Sequence, residues 1–216
     1  MKIVIINASP RKAGATAKIL NEFAENLSAK SGVEIQNINL SDYKLEFCAG
    51  CCNCYKTGVC HIDDDAELIS AFIDKADGVI IGTPNYVSNV SGQLKTLIDR
   101  GHFVIEQLLK NKRAIGVVTY ENAEGNAALK VLKKLCVFSG ARTFAGLVVK
   151  LPFGAKPLVS GKIRRMSNRF YKNKSASFIN SVVHFFVFNF GIKPFVLRKG
   201  EQYSGVKEHW QRRNIC

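Results

Sequence analysis

Short runs of almost purely apolar residues recur along the chain, and stretches with helical periodicity separate them. Residues 2–6, 78–82, 114–118 and 144–149 read KIVII, GVIIG, AIGVV and FAGLVV. None alternates with period two, which is the pattern of strands covered by helices on both faces of a parallel sheet. Residues 33–38, VEIQNI, do alternate and suit a strand nearer a sheet edge. Helix candidates fill the gaps. Residues 16–30 set Ile19, Leu20, Phe23 and Leu27 on one stripe and stop at Ser31-Gly32. Residues 66–76 do the same with Leu68, Ile69, Phe72 and Ile73, and the preceding Asp63, Asp64 and Asp65 suit an N-cap at the positive end of the helix dipole. Residues 91–100 and 124–138 complete the set. The alternation predicts an α/β, doubly wound parallel sheet with right-handed crossovers.

Five strands fit the flavodoxin-like order 2-1-3-4-5 better than a six-stranded dinucleotide fold. In such a sheet a ligand sits beyond the carboxyl ends of the strands, at the switch point between the first and third. The loops starting at Asn7, Thr83 and Thr119 are therefore the place to look.

At 216 residues and 47% hydrophobic content the chain can bury a sizeable core, so disordered, collagen-like and disulfide-scaffold classes drop out. Charge divides it. Residues 1–150 carry 18 basic and 15 acidic side chains, whereas residues 151–216 carry 13 and 2. The expected organisation is a ligand-binding body over 1–150 and a basic, aromatic, mainly helical extension over 151–216. The apolar run after Lys2 is too short for a secretory h-region, and seven cysteines make an odd total. A cytoplasmic protein with reduced or metal-bound thiols is the expectation.

The first loop, residues 7–16, reads Asn-Ala-Ser-Pro-Arg-Lys-Ala-Gly-Ala-Thr and runs straight into a helix. A strand, a small hydroxyl-rich turn and a helix start make a ready anion site, or simply a capped helix beside a solvated loop. Ser9 and Thr16 offer hydroxyls, Arg11 a charged fork, and Gly14 and Ala15 a close backbone approach. The phosphate-binding patterns of NTPases and of dinucleotide-binding folds are both missing. In the third-strand loop Pro84 stiffens the exit, and Asn85, Tyr86 and Val87 present amide and aromatic groups at the switch point. Read blandly, Tyr86 is a half-buried loop aromatic.

Ser-Pro-Arg-x-x-Gly-x-Thr at 9–16, a cysteine cluster followed by Asp63-Asp64, and Thr-Pro-x-Tyr…Ser-Gly-x-Leu-Lys…Asp-Arg at 83–100 stand in this order. In this the chain resembles the NAD(P)H-dependent FMN reductase family of flavodoxin-like proteins, close to its iron–sulfur flavoprotein branch. The resemblance covers roughly residues 1–150, and its three motifs are specific together. Many members have Gly before Ser-Pro-Arg, where this chain has Asn7-Ala8. It implies FMN, with the phosphate in the 9–16 loop. It also implies a ring against Pro84, Asn85, Tyr86 and Val87, with further contacts near Thr119 and Gly125. The flavin would carry the chemistry between a nicotinamide, NADH or NADPH, and a small acceptor such as a quinone or flavin, so no catalytic side chain is assigned. Homo-oligomers are expected from the same resemblance.

Cys48, Cys51, Cys54 and Cys60 form Cys-x2-Cys-x2-Cys-x5-Cys, with Cys52 as a spare. The spacing is near, not identical to, a ferredoxin run, and His61 stands where that run has proline. Three chemistries stay open: a [4Fe–4S] cluster, as the resemblance implies; reduced or redox thiols, including a Cys51–Cys54 disulfide; and structural zinc, which prefers two separated pairs. Cys136 is expected in a helix core. With a cluster, the alternative function is an electron carrier exchanging with a ferredoxin.

The tail is distinctive. Residues 156–174 hold Lys156, Lys162, Arg164, Arg165, Arg169, Lys172 and Lys174, and residues 175–192 then run without a formal charge. Ser177, Asn180, Ser181 and His184 fall on one side at helical spacing. Residues 156–198 could pack on the body or a symmetric partner, or lie at an anionic membrane surface. Basic and aromatic residues also interleave as in nucleic-acid binders, but no recognised module is present. Trp210 is expected as a packing anchor and His184 as a polar-face residue. A flavin-free scaffold at a membrane surface is the third functional class.

Overall fold

The computed structural model describes residues 1–152, 155, 159–173 and 178–215, Phe178 by its backbone alone. Lys156, Lys174, Ser177 and Cys216 lie outside the described residues. Five parallel strands form one sheet in the order β2-β1-β3-β4-β5: β1 (Lys2–Asn7), β2 (Glu34–Asn39), β3 (Gly78–Pro84), β4 (Arg113–Tyr120) and β5 (Thr143–Lys150). This is the flavodoxin-like doubly wound order. Every residue of β3 is buried, whereas β2 at the edge is half open. The lack of alternation in the first and its presence in the second follow from that difference.

Two apolar layers sandwich the sheet. On one face Val4, Ile6, Val79, Ile81 and Val118 pack with α3 (Ala66–Asp74), α4 (Gly92–Arg100) and α5 (Gly125–Phe138). Cys136 is buried there, and burial pushes its thiol up to about 12. On the other face Ile3, Ile5, Ile80, Ile115 and Val117 meet α1 (Ala15–Ser28) and α6 (Ser160–Tyr171), through Ile19, Phe23, Ile163 and Phe170. The extension thus begins as a second helix in that layer. Its amphipathic stripe buries Ile163, Ser167 and Phe170 while Lys162, Arg164, Arg165 and Arg169 stay exposed.

Beyond α6 the chain runs through α7 (Phe178–Phe186), a π-helical turn (Val187–Ile192) and α8 (Lys193–Arg198), continuing as one helical rod. After a short 3-10 turn, α9 (Ser204–Arg212) folds back. Phe188, Val196, Val206 and Trp210 form a small core of their own, and the Trp210 indole N–H donates to Ile105 O at 2.8 Å. Trp210 is the anchor its residue type suggested. The apolar stretch expected over 175–192 therefore extends as helix to Arg198, with Asn180 buried and Ser181 exposed rather than both on one side.

One expectation fails in detail. Asp65 stands at the α3 N-cap but makes no capping bond; its carboxylate accepts from Lys44 N–H instead. Asp64 takes the Ala66 N–H and a buried, forked pair with Arg100, at 2.6 and 2.9 Å. Both side chains are all but fully buried, and Arg100 also donates to Glu46 O and Ile62 O. A buried guanidinium needs that full set of acceptors, so the carboxylate nearest it is recruited away from simple capping. Burial alone would raise the Asp64 carboxyl; the Arg100 and backbone hydrogen bonds outweigh it and hold it below its usual 3.8.

Asp64→Asn leaves Arg100 charged and uncompensated, and is expected to cost about 3–5 kcal/mol in a urea unfolding titration. The depressed carboxyl also sets a sign: its contribution is present above pH 3.8 and is lost as pH falls through the folded value. Acid unfolding of Asp64→Asn should accordingly be less steep than that of the parent chain below pH 4.

Candidate functional site

β1, β3 and β4 end side by side, and their following loops surround a cavity of about 580 Å³. That falls within the range of roughly 300–1,000 Å³ typical of small-molecule sites. Arg11, Gly14, Ala15, Lys18, Pro84, Asn85, Tyr86, Val87 and Thr119 line it. Tyr120 to Glu124, Leu151 and Pro152 complete the wall.

The α1 start is built to receive an anion. Gly14 caps it in an extended conformation and no side chain bonds its first turn. Asn7 Oδ1 accepts the Ser9 N–H, and Ser9 Oγ accepts the Arg11 N–H at 3.2 Å, which fixes the turn. Ser9 and Thr16 are buried beneath the cavity rather than on its wall. The Thr16 and Thr119 hydroxyls share a hydrogen bond of 2.7 Å, tying the α1 start to the end of β4. Gly125 opens α5 against the Tyr120 ring, where a Cβ would collide.

The opposite wall is the loop after β3. Asn85 N–H donates to Thr119 O and its amide Nδ2 to Ala123 O, while Asn85 Oδ1 is buried without a hydrogen-bond partner among the described residues. An orphaned acceptor in a cavity wall invites an N–H donor from a ligand. Tyr86 and Asn89 pair backbone to backbone around Val87 and Ser88, both left-handed at φ 49° and 61°. A β-branched Val there is strained by about 1–3 kcal/mol, and its side chain is 99% exposed at the mouth. Ser88 Oγ bonds the Glu124 carboxylate, linking this tip to the loop after β4.

Lys18, Ser88, residues 121–124 and the 151–155 corner were not singled out in the sequence. Lys18 was legible, one helical turn beyond Gly14; the others depend on where β4 and β5 end.

The cysteine loop lies elsewhere, between β2 and α3, around the short helix α2 (Asn53–Thr57). Cys48, Cys51 and Cys52 are exposed and Cys54 and Cys60 partly so. Cys51 Sγ lies 3.4 Å from His61 Nδ1. Cys60 helps to raise the Arg100 pKa, and Cys54 that of His102. His102 also pairs with Glu106 at 2.9 Å. Burial disfavours its imidazolium, but the Cys54 and Glu106 hydrogen bonds win and raise it to about 10. Four soft thiols on one loop have the right chemistry for iron. Among the described residues, however, no three Cys, His, Asp or Glu side chains converge closely enough to hold a metal ion.

The extension clamps this loop, which nothing in the sequence signalled. Ser204 Oγ donates to Lys56 O at 2.8 Å, and the Tyr203 ring stacks on Tyr55 with centroids 4.8 Å apart. Gly205 sits so close to Gly58 that any side chain would enter its backbone.

The family model described as NADPH-dependent FMN reductase matches residues 1–156. The chain belongs to that family. Within it, the chain is 36% identical to an iron–sulfur flavoprotein of Clostridioides difficile (strain 630), each covering the other completely. It is 43% identical to an iron–sulfur flavoprotein of Methanocaldococcus jannaschii over 46% of this chain and 51% of that one. The fold is also that of the NAD(P)H:quinone oxidoreductase from Methanothermobacter marburgensis (TM-score 0.64, 15% identity, 79% of this chain and 97% of that one). An FMN-dependent NADH-azoreductase from Bacillus anthracis, solved with FMN, superposes with a TM-score of 0.61 at 16% identity, over 78% and 98% of the two chains.

His102 supplies a pH test of the loop. A group raised from 6.5 to about 10 stabilises fully below pH 6.5, and the effect is lost as pH rises through about 10. The melting midpoint of metal-free protein should fall between pH 7 and pH 10, and His102→Gln should flatten that fall while lowering the midpoint at pH 7.

Proposed function

We propose that this chain is an FMN-dependent oxidoreductase that takes electrons from NADH or NADPH and passes them to a small acceptor, a quinone or flavin. One observation carries this reading: a single cavity at the carboxyl edge joins the uncapped α1 start, Arg11 and Lys18 to the unpartnered acceptor of Asn85. The first set suits a phosphate, the second an imide-type N–H of a planar ring. Bound FMN would supply hydride acceptance and the release of electrons singly or in pairs.

The residues then have distinct tasks. Arg11 and Lys18 balance the phosphate charge while the free first-turn N–H groups of α1 point at it. Ser9 and Thr16, from below, hold the turn and the β4 end in place. Pro84 and the Asn85 backbone fix the ring edge, and Tyr86, 44% exposed, offers an aromatic face at the mouth. No side chain is assigned as acid or base. The proposed setting is the cytoplasm, where the free thiols stay reduced.

A second reading is supported by the full-length match to an iron–sulfur flavoprotein and by the cysteine loop. In it Cys48, Cys51, Cys54 and Cys60 take a [4Fe–4S] cluster and the chain exchanges electrons with a ferredoxin. The loop would have to draw its thiols together to do so. Anaerobic purification followed by iron and acid-labile sulfide determination decides it, with about four irons per chain expected on this reading. Rapid bleaching of the flavin by NADH or NADPH favours the reductase; bleaching by reduced ferredoxin alone favours the carrier.

The joint substitution Ser9→Ala with Arg11→Ala is expected to weaken FMN binding roughly 10- to 100-fold in a flavin fluorescence titration, since a charged hydrogen bond and the turn that aims it are both removed. Unchanged affinity in a folded variant removes the proposed phosphate site.

A further inference from the structure

The rod from Ile179 to Arg198 is 20 residues of helix, apolar and long enough to cross a membrane. Its inner side is already spent on the protein. Asn180, Phe188 and Val196 are buried, His184 Nδ1 donates to Val137 O at 3.1 Å, and Phe188 packs edge-on to Trp210. A spanning helix would forfeit all of this. The outer side is different in kind. Ile179, Val183 and Phe186, spaced four and three residues apart, form one stripe on α7, which Phe190 continues by stacking on Phe186; Leu197 follows farther along the rod. All five are exposed, Ile179 and Phe190 to 70% and 71%. The Phe186 and Phe190 rings stack with centroids 5.6 Å apart, and Phe185 meets both edge-on. An aromatic cluster of this extent facing water marks an interaction surface.

The surrounding charge says what covers it. Lys193, Arg198 and Lys199 flank the stripe at the end of the rod, and Lys133 and Lys134 stand exposed on α5, the helix against which α7 packs. None of these five forms an ion pair among the described residues. The sequence from 151 to 200 contains no Asp or Glu. A second copy docked on this face about a two-fold axis would bring two such cationic rims together. A sheet of phosphates would neutralise them.

We propose that this face docks the protein on an anionic phospholipid bilayer, the rod lying in the interface with Ile179, Phe186 and Phe190 among the acyl chains. Lys193, Arg198 and Lys199 then meet the headgroups. The cations of α6 take no part in it, since that helix lies with α1 in the other layer of the molecule. This inference is independent of what the cavity binds.

Flotation of the full-length holoprotein with vesicles tests it. Phosphatidylcholine vesicles containing phosphatidylglycerol should carry the protein up; vesicles of phosphatidylcholine alone should carry far less, and high salt should weaken the binding. Phe186→Ser with Phe190→Ser, and separately Lys193→Glu with Lys199→Glu, should each weaken partitioning roughly tenfold or more. Phe186, Phe190 and Lys199 are exposed and Lys193 is half-buried; an unchanged circular dichroism spectrum and flavin content check each variant, and either pair alone suffices for the test. No flotation, or equal flotation on both vesicles, overturns the proposal. So does a dimer mass by light scattering that the phenylalanine pair reduces to a monomer while vesicle binding is absent, because a second copy would then be the occupant.

Discussion

Burial of β1, β3 and β4 on both faces constrains everything else in this molecule. These strands pair with neighbours along their length, and most of their side chains are buried beneath helices. A ligand can reach polar backbone only where strands stop and helices begin, along the carboxyl edge. Two unspent groups lie there: the first-turn N–H groups of α1 and the unpaired acceptor of Asn85. The Thr16–Thr119 hydroxyl pair then matters beyond its own energy. It spans the β3 position and ties the α1 start to the end of β4 beneath the cavity.

A different kind of constraint shapes the cysteine loop. An irregular segment of this length buries little apolar surface, so ordered polar contacts must hold it. The Asp64–Arg100 pair does so from the body, with Arg100 reaching back to Glu46 O and Ile62 O on either side of the cysteines. The extension does so from outside, through Ser204, Tyr203 and Gly205. Both anchors leave Cys48, Cys51 and Cys52 exposed, with Cys54 and Cys60 partly covered.

What was legible in the sequence followed from repetition. GVIIG and AIGVV announce buried strands, and four such runs, one alternating run and the intervening helices leave few topologies. That the loops after β1 and β3 meet at one cavity was legible for the same reason, since the topology dictates which loops meet. Residues that depend on long-range fit were not. Asp64 reads as one of three equivalent carboxylates until Arg100, far along the chain, selects it. Gly205 reads as an unremarkable glycine until its contact with Gly58 is seen. The tail's charge and apolar content suggested one surface over 156–198, but α6 and α7 pack in different layers, which composition cannot express.

The small core of Phe188, Val196, Val206 and Trp210 joins two features that the sequence keeps apart. Phe188 and Val196 belong to the rod whose outer stripe is bare; Val206 and Trp210 belong to α9, which presses on the cysteine loop. Trp210 is tied to Ile105, and Arg213 donates to the carbonyls of Glu106, Gln107 and Leu108, beside His102 and its contact with Cys54. Through this shared core the rod with its bare stripe packs on α9, whose Gly205, with the neighbouring Tyr203, lies against the cysteine loop.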